Sequence, residues 1–226
     1  MNAVIYAILG GILPALVWLT FWLWEDKKHP EPKGLILKTF LLGALSVLLV
    51  IPLQKGVEEM FPHLLLLSVF LWALIEEVFK FLAGYWGGLR SLEDNEPVDP
   101  IIYMVTSALG FVAFENTLFI LGPIMGQDVT QSIITGNLRF MGASLLHVVS
   151  SGFVGALISL NFYNPSKRKR FILIGLAIAT AFHFLFNFLI LKWETGGMAL
   201  AFIMVWIGVV ALLWTFERIK SFARDI

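Results

Sequence analysis

Residues 70–86 read FLWALIEEVFKFLAGYW. The run has the apolar character of a helix buried in hydrocarbon, yet Glu76, Glu77 and Lys80 interrupt it. A charged side chain at the centre of a bilayer costs about 2.5–3.5 kcal/mol on insertion scales, so such groups face a bundle interior or water and mark function by default. The stretch therefore predicts a spanning helix together with a polar pocket for it to face. The rest of the chain has the same character: 226 residues, 58% hydrophobic and only 14% charged. A soluble domain of this length would show more polar surface. The fold class expected is all-α, a polytopic transmembrane helical bundle forming a single integral membrane domain over 1–226. There are no cysteines, which excludes disulfides and thiolate chemistry. The net charge is zero, which offers nothing to nucleic acid.

A spanning helix needs about 20 apolar residues. Seven segments qualify, at about 2–24, 35–54, 63–87, 100–121, 139–161, 171–191 and 197–216. No Lys or Arg precedes the first, and WLWEDKK at 22–28 stands where a small-residue cleavage site would be, so it reads as a retained helix. The basic residues alternate between the two sides. One side takes Lys27, Lys28, Lys33, Lys38, Lys80, Arg90, the KRKR run at 167–170, Arg218, Lys220 and Arg224, 13 in all; the other has Lys55, Arg139 and Lys192. The positive-inside rule then places the N-terminus outside and the C-terminus in the cytoplasm. Trp18, Trp22, Trp24, Trp86, Trp193 and Trp214 fall mostly near helix ends, as interfacial anchors do.

Four consecutive predicted helices carry groups that lipid rejects: Glu76 and Glu77 on the third, Glu115 with Asn116 on the fourth, His147 on the fifth, and His183 with Asn187 on the sixth. At 1.5 Å per residue, Glu76 lies roughly 20 Å from the outer end, and Glu115, His147, His183 and Asn187 about 9, 12, 12 and 6 Å from it. All fall between the midplane and the outer boundary, which predicts one cavity open to that side. Lys80 is placed to pair with Glu77 at i,i+3 or Glu76 at i,i+4. The two glutamates point about 100° apart, so one is expected to work and the other to support. His183 and Asn187 share a face. His147 shares one with Ser144, Ser150 and Ser151, within GASLLHVVSSGFVGALIS at 142–159.

These residues carry a resemblance. EEVFK at 76–80 resembles the EExxK motif of the PrsW family of intramembrane proteases, which is similar to the prenyl-protein (CAAX) endopeptidases and CPBP proteins. GFVAFENTLF at 110–119 resembles the family's FExxxY, with Phe119 in place of the tyrosine; His147 stands as the lone intramembrane histidine; HFLFN at 183–187 matches HxxxN. The resemblance covers about residues 70–190. It implies site-1-type, extracytoplasmic cleavage of a membrane-anchored or single-span protein substrate, such as an anti-sigma factor, in a bacterial inner membrane. It also implies a glutamate-type scheme with no metal and no other cofactor.

Hydrolysis needs an activated water and donors for the oxyanion. In that scheme Glu76 activates water, Glu77 and Lys80 hold it in place, and His183 with Asn187 polarises the carbonyl. His147 orients the water or protonates the leaving amine, while Glu115 and Asn116 support. The rival scheme is a His2Glu zinc site of Glu76, His147 and His183, although the HExxH spacing is absent. Plainer accounts stand beside both. Glu76–Lys80 is then a packing pair, Glu115–Asn116 an interhelical clamp, each histidine a bond to a neighbouring helix, and Arg139 an interfacial anchor. Two non-proteolytic readings complete the set: a transporter using the carboxylates as a proton relay, and a non-catalytic membrane scaffold.

Overall fold

The computed structural model describes residues 3–126, 130–131, 134, 138–192 and 194–224. Among them the regular elements are helical, with no strand. Seven long helices follow one another: α1 (Ala3–Glu25), α2 (Lys33–Met60), α3 (Leu65–Gly84), α4 (Asp99–Met125), α5 (Ser144–Ser159), α6 (Pro165–Lys192) and α7 (Glu194–Arg224). α3 runs on into a π-helical turn, Tyr85–Leu89, and a second such turn, Arg139–Ala143, leads into α5. Trp193 lies outside the described residues.

α4 is the hub. Its hydropathy has no polar side, and a helix apolar all round is a buried one. Two-thirds of its apolar window (67%) is buried, against 22–33% for the other long apolar helices. It starts sharply because Asp99 accepts hydrogen bonds from the N–H groups of Asn95 (2.8 Å) and Glu96 (2.6 Å). Pro100 then occupies the first turn, where a missing N–H costs nothing. α1, α2 and α5 pack directly on α4, α6 bridges α3 and α5, and α7 closes over α5 and α6. α2 and α4 cross with their backbones in contact. A Cβ on Gly110 would land on the Phe40 carbonyl, and one on Gly43 on the Ser107 carbonyl. Small residues at a crossing allow this approach.

Outside the bundle, Leu37, Leu41, Leu45 and Leu48 line one exposed face of α2, and Ile203, Ile207, Val210 and Trp214 one of α7. Such faces suit acyl chains. Five helices, α1, α2, α4, α6 and α7, are long and apolar enough to cross a membrane. α3 carries Glu76, Glu77 and Lys80, and α5 has only 16 residues beyond its π-helical turn. The protein is a multi-pass, all-helical membrane protein.

Two sequence expectations need correction, and a third is extended. Trp22 is not an interfacial anchor: it is buried, edge-on to Phe216 with ring centres 5.3 Å apart. Lys80 does not belong with the basic loops, being wholly buried in the bundle. Arg168 of the KRKR run does more than mark a side. It pairs with Asp94 at 2.5 Å, tying the loop before α4 to the start of α6.

Candidate active site

The six helices α2 to α7 enclose a cavity of about 650 Å³. Its wall includes Lys55 and Glu58 near the end of α2, Trp72 near the start of α3, and Ile190 near the end of α6. The cavity thus lies at the end of the bundle that carries few basic residues. Glu76, Glu115, His147, His183 and Asn187 all line it. The sequence expectation that four helices aim polar groups at one place holds in this geometry.

The two adjacent glutamates divide as their 100° offset requires. Glu77 is turned away from the cavity. Its Oε1 accepts from Lys80 Nζ at 2.5 Å, His183 Nδ1 at 2.8 Å and Ser150 Oγ at 2.9 Å. Lys80 therefore pairs with Glu77, not Glu76. Its Nζ also lies 2.9 Å from His147 Nδ1, and 5.6 Å from the centre of the Phe111 ring. One buried ion pair so holds the Nδ1 atoms of both histidines. A carboxylate only accepts, so His183 donates through Nδ1.

Glu76 faces the cavity. Gln54 Nε2 donates to its Oε1 at 2.8 Å. Its Oε2 is buried with no hydrogen-bond partner among the described residues, 3.7 Å from His183 Nε2. His147 and His183 stand edge to face, ring centres 5.1 Å apart. Glu76, His147 and His183 each offer one ligand atom, and these atoms lie within 4.8 Å of one another. That Glu-His-His donor set, with an orphaned carboxylate oxygen in it, fits a divalent metal ion.

Glu115 and Asn116 reach the site from α4. Glu115 forms an ion pair with Arg139 and lies 3.3 Å from His147 Nε2. Asn116 accepts from Arg139 Nε at 2.5 Å and donates to Ser144 Oγ at 3.1 Å, so it clamps α4 to α5. The Arg139 guanidinium stacks 3.8 Å from the centre of the Phe119 ring. Arg139 is thus part of the cavity wall rather than an anchor in lipid headgroups. Sequence reasoning passed over Gln54 and Trp72. The available signal was a lone glutamine after the apolar run LLVIPL at 48–53.

A sequence model described as the PrsW family intramembrane metalloprotease matches residues 31–215. Protease PrsW of Halalkalibacterium halodurans is 26% identical over 215 residues, covering 92% of this chain and 91% of the relative. Protease PrsW of Oceanobacillus iheyensis is 26% identical over 205 residues, covering 90% and 91%. That of Bacillus subtilis is 22% identical over 185 residues, covering 81% and 82%. No solved structure matches. The match runs from the start of α2 into α7 and takes in every helix that lines the cavity, and the chain therefore belongs to the PrsW family of intramembrane proteases.

Proposed function

We propose that the protein hydrolyses a peptide bond of a membrane-anchored protein, using water activated at Glu76. The observation that carries this reading is Glu76 Oε2, a buried carboxylate oxygen with no hydrogen bond from the described residues, in the wall of a cavity shared with two histidines. A carboxylate so placed is a general base awaiting a proton donor. His183 Nε2 lies beside it, 3.7 Å from Oε2. With Lys80 donating to its Nδ1, His147 carries its proton on Nε2 and donates a hydrogen bond that orients the water, and the proton Glu76 takes from the water goes on to the leaving amine. Asn187, one turn after His183, is an oxyanion donor from the same face. Glu76→Gln is expected to leave the melting temperature unchanged and to lower cleavage of a single-span peptide by about 10²–10⁴-fold or more. Wild-type cleavage by the Glu76→Gln variant refutes the role of Glu76.

A second reading is favoured by the 4.8 Å donor cluster and by the family's description as metalloproteases. Glu76, His147 and His183 would hold the ion. A divalent ion there supplies a Lewis acid and lowers the pKa of bound water. Elemental analysis of the purified protein and cleavage with and without chelator separate the two readings. Metal-free, chelator-insensitive cleavage removes the second.

The substrate class follows from the setting. The cavity lies at the basic-poor end, which the positive-inside rule puts on the extracytoplasmic side, with seven spans and the N-terminus outside. That placement supports site-1-type cleavage in a bacterial inner membrane, with an anti-sigma factor as the substrate the family resemblance implies. Cleavage mapped to the cytoplasmic flank of a substrate would overturn this assignment of sides.

A further inference from the structure

We infer that Gln54 is a positioning residue for Glu76, setting which carboxylate oxygen reaches the reacting centre. The inference rests on the reading of Glu76 as the working carboxylate. Glu76 sits on a side chain with three rotatable bonds, and the hydrogen-bond donors that grip Glu77 do not hold it. Among the described residues its hydrogen bond is to the Gln54 amide, 2.8 Å from Oε1. Because a carboxylate cannot donate, that amide must present its NH2 side. Oε1 is thereby occupied, and Oε2 is left towards His183 Nε2 at 3.7 Å.

Gln54 is itself fixed. Trp72 Nε1 donates to the Gln54 main-chain carbonyl at 3.0 Å. Trp72 and Glu76 are i,i+4 on α3, so both side chains meet residue 54 from one helix face. The two bonds join α2 to α3 a single turn apart, one through the main chain of residue 54 and one through its side-chain amide. Gln54 is half-buried in the last two turns of α2, where it lines the cavity. Outer partners of a reacting or ligating group change affinity or activity by about 10–100-fold when removed.

The test uses the full chain in lipid nanodiscs, with Gln54→Leu, near-isosteric but without a donor, and Gln54→Glu, isosteric with an acceptor in place of the donor. Three readouts are taken on each. Cleavage of a single-span peptide is expected to show kcat lowered by about 10–100-fold with KM within about threefold, because the substrate-binding wall is otherwise untouched. Zn2+ titrated alone, if the wild type binds it, is expected to bind Gln54→Leu about 10–100-fold more weakly. The infrared carboxyl band of Glu76, isolated as the difference between wild type and Glu76→Gln, is expected to shift in Gln54→Leu. Wild-type kcat in Gln54→Leu, or an unmoved Glu76 band, overturns the inference. A wild type that neither cleaves nor binds Zn2+ refutes the protease reading instead, and the band still decides whether Gln54 holds Glu76.

Discussion

At the residue scale, the economy of the site lies in Glu77. One carboxylate oxygen takes three donors, from Lys80, His183 and Ser150, while its neighbour Glu76 is left for the cavity. Breaking a buried ion pair from one side leaves an uncompensated charge and costs about 3–5 kcal/mol, whereas replacing both partners by apolar groups is often near neutral. Lys80→Met is therefore expected to lower the melting temperature strongly, and Glu77→Leu with Lys80→Met to recover most of it while staying inactive. Thermal unfolding of the purified variants in detergent checks this; equal melting of the single and double variants would contradict it. The ionisable members of the site are legible in the chain, since each breaks an apolar run at a cost that demands a reason. The division of labour between Glu76 and Glu77 can only be posed there. It is decided by which neighbour, Lys80 or Gln54, each glutamate meets.

At the element scale, the helices follow the hydropathy but overrun it: α6 begins at Pro165 where the apolar segment starts at 171, and α7 runs to Arg224 past 216. Hydropathy ends the second segment at residue 54, and α2 continues to Met60. The apolar run stops where polar side chains begin, but backbone hydrogen bonding continues past that point. Gln54 reads as a boundary in the sequence and is an interior contact in the fold. The π-helical turn before α5 likewise carries Arg139 to Glu115, and π turns tend to appear where a helix aims a side chain at a site. The α2–α4 crossing gives a sharper prediction. Gly110→Ala would place a methyl on the Phe40 carbonyl, and backbone cannot step aside as a flexible side chain does. Gly56, also on α2, meets nothing within 4 Å. Gly56→Ala is thus expected to be neutral or to stabilise by up to about 1 kcal/mol, and Gly110→Ala to melt well below wild type. If both variants melt alike, the crossing is looser than the structure makes it.

At the scale of the whole molecule, the two ends of the bundle differ in chemistry. The site occupies one end. The other is stitched by polar contacts: Arg168 to Asp94, Lys220 to Glu25 at 2.9 Å, and Tyr103 to Glu31. There, just beyond α1, Asp26 has its pKa raised from 3.8 to about 7, first by burial and then by the carboxylates of Asp99 and Glu96, against weaker opposition from the Glu31 N–H and Lys220. The folded state thus prefers the neutral acid. Its contribution to stability is complete below the unfolded value and is lost as pH rises through about 7. Wild type is expected to melt lower at about pH 8 than at about pH 6, and Asp26→Asn to flatten that difference, in melts of the purified protein. An unchanged pH slope in Asp26→Asn would assign the effect elsewhere.

By itself the sequence determined that the chain is helical and membrane-embedded, and which ionisable residues lipid would not tolerate alone, because both follow from the local cost of exposing polar groups to hydrocarbon. Only the tertiary structure decided that Lys80 serves Glu77, that Arg139 closes on Glu115, and that Gln54 binds one oxygen of Glu76 while the other lies beside His183. The Gln54–Glu76 and Arg139–Glu115 contacts join residues 22 and 24 positions apart, and the His183–Glu77 bond joins residues 106 apart. The crossing of packed helices sets such distances, and hydropathy along the chain carries no record of them.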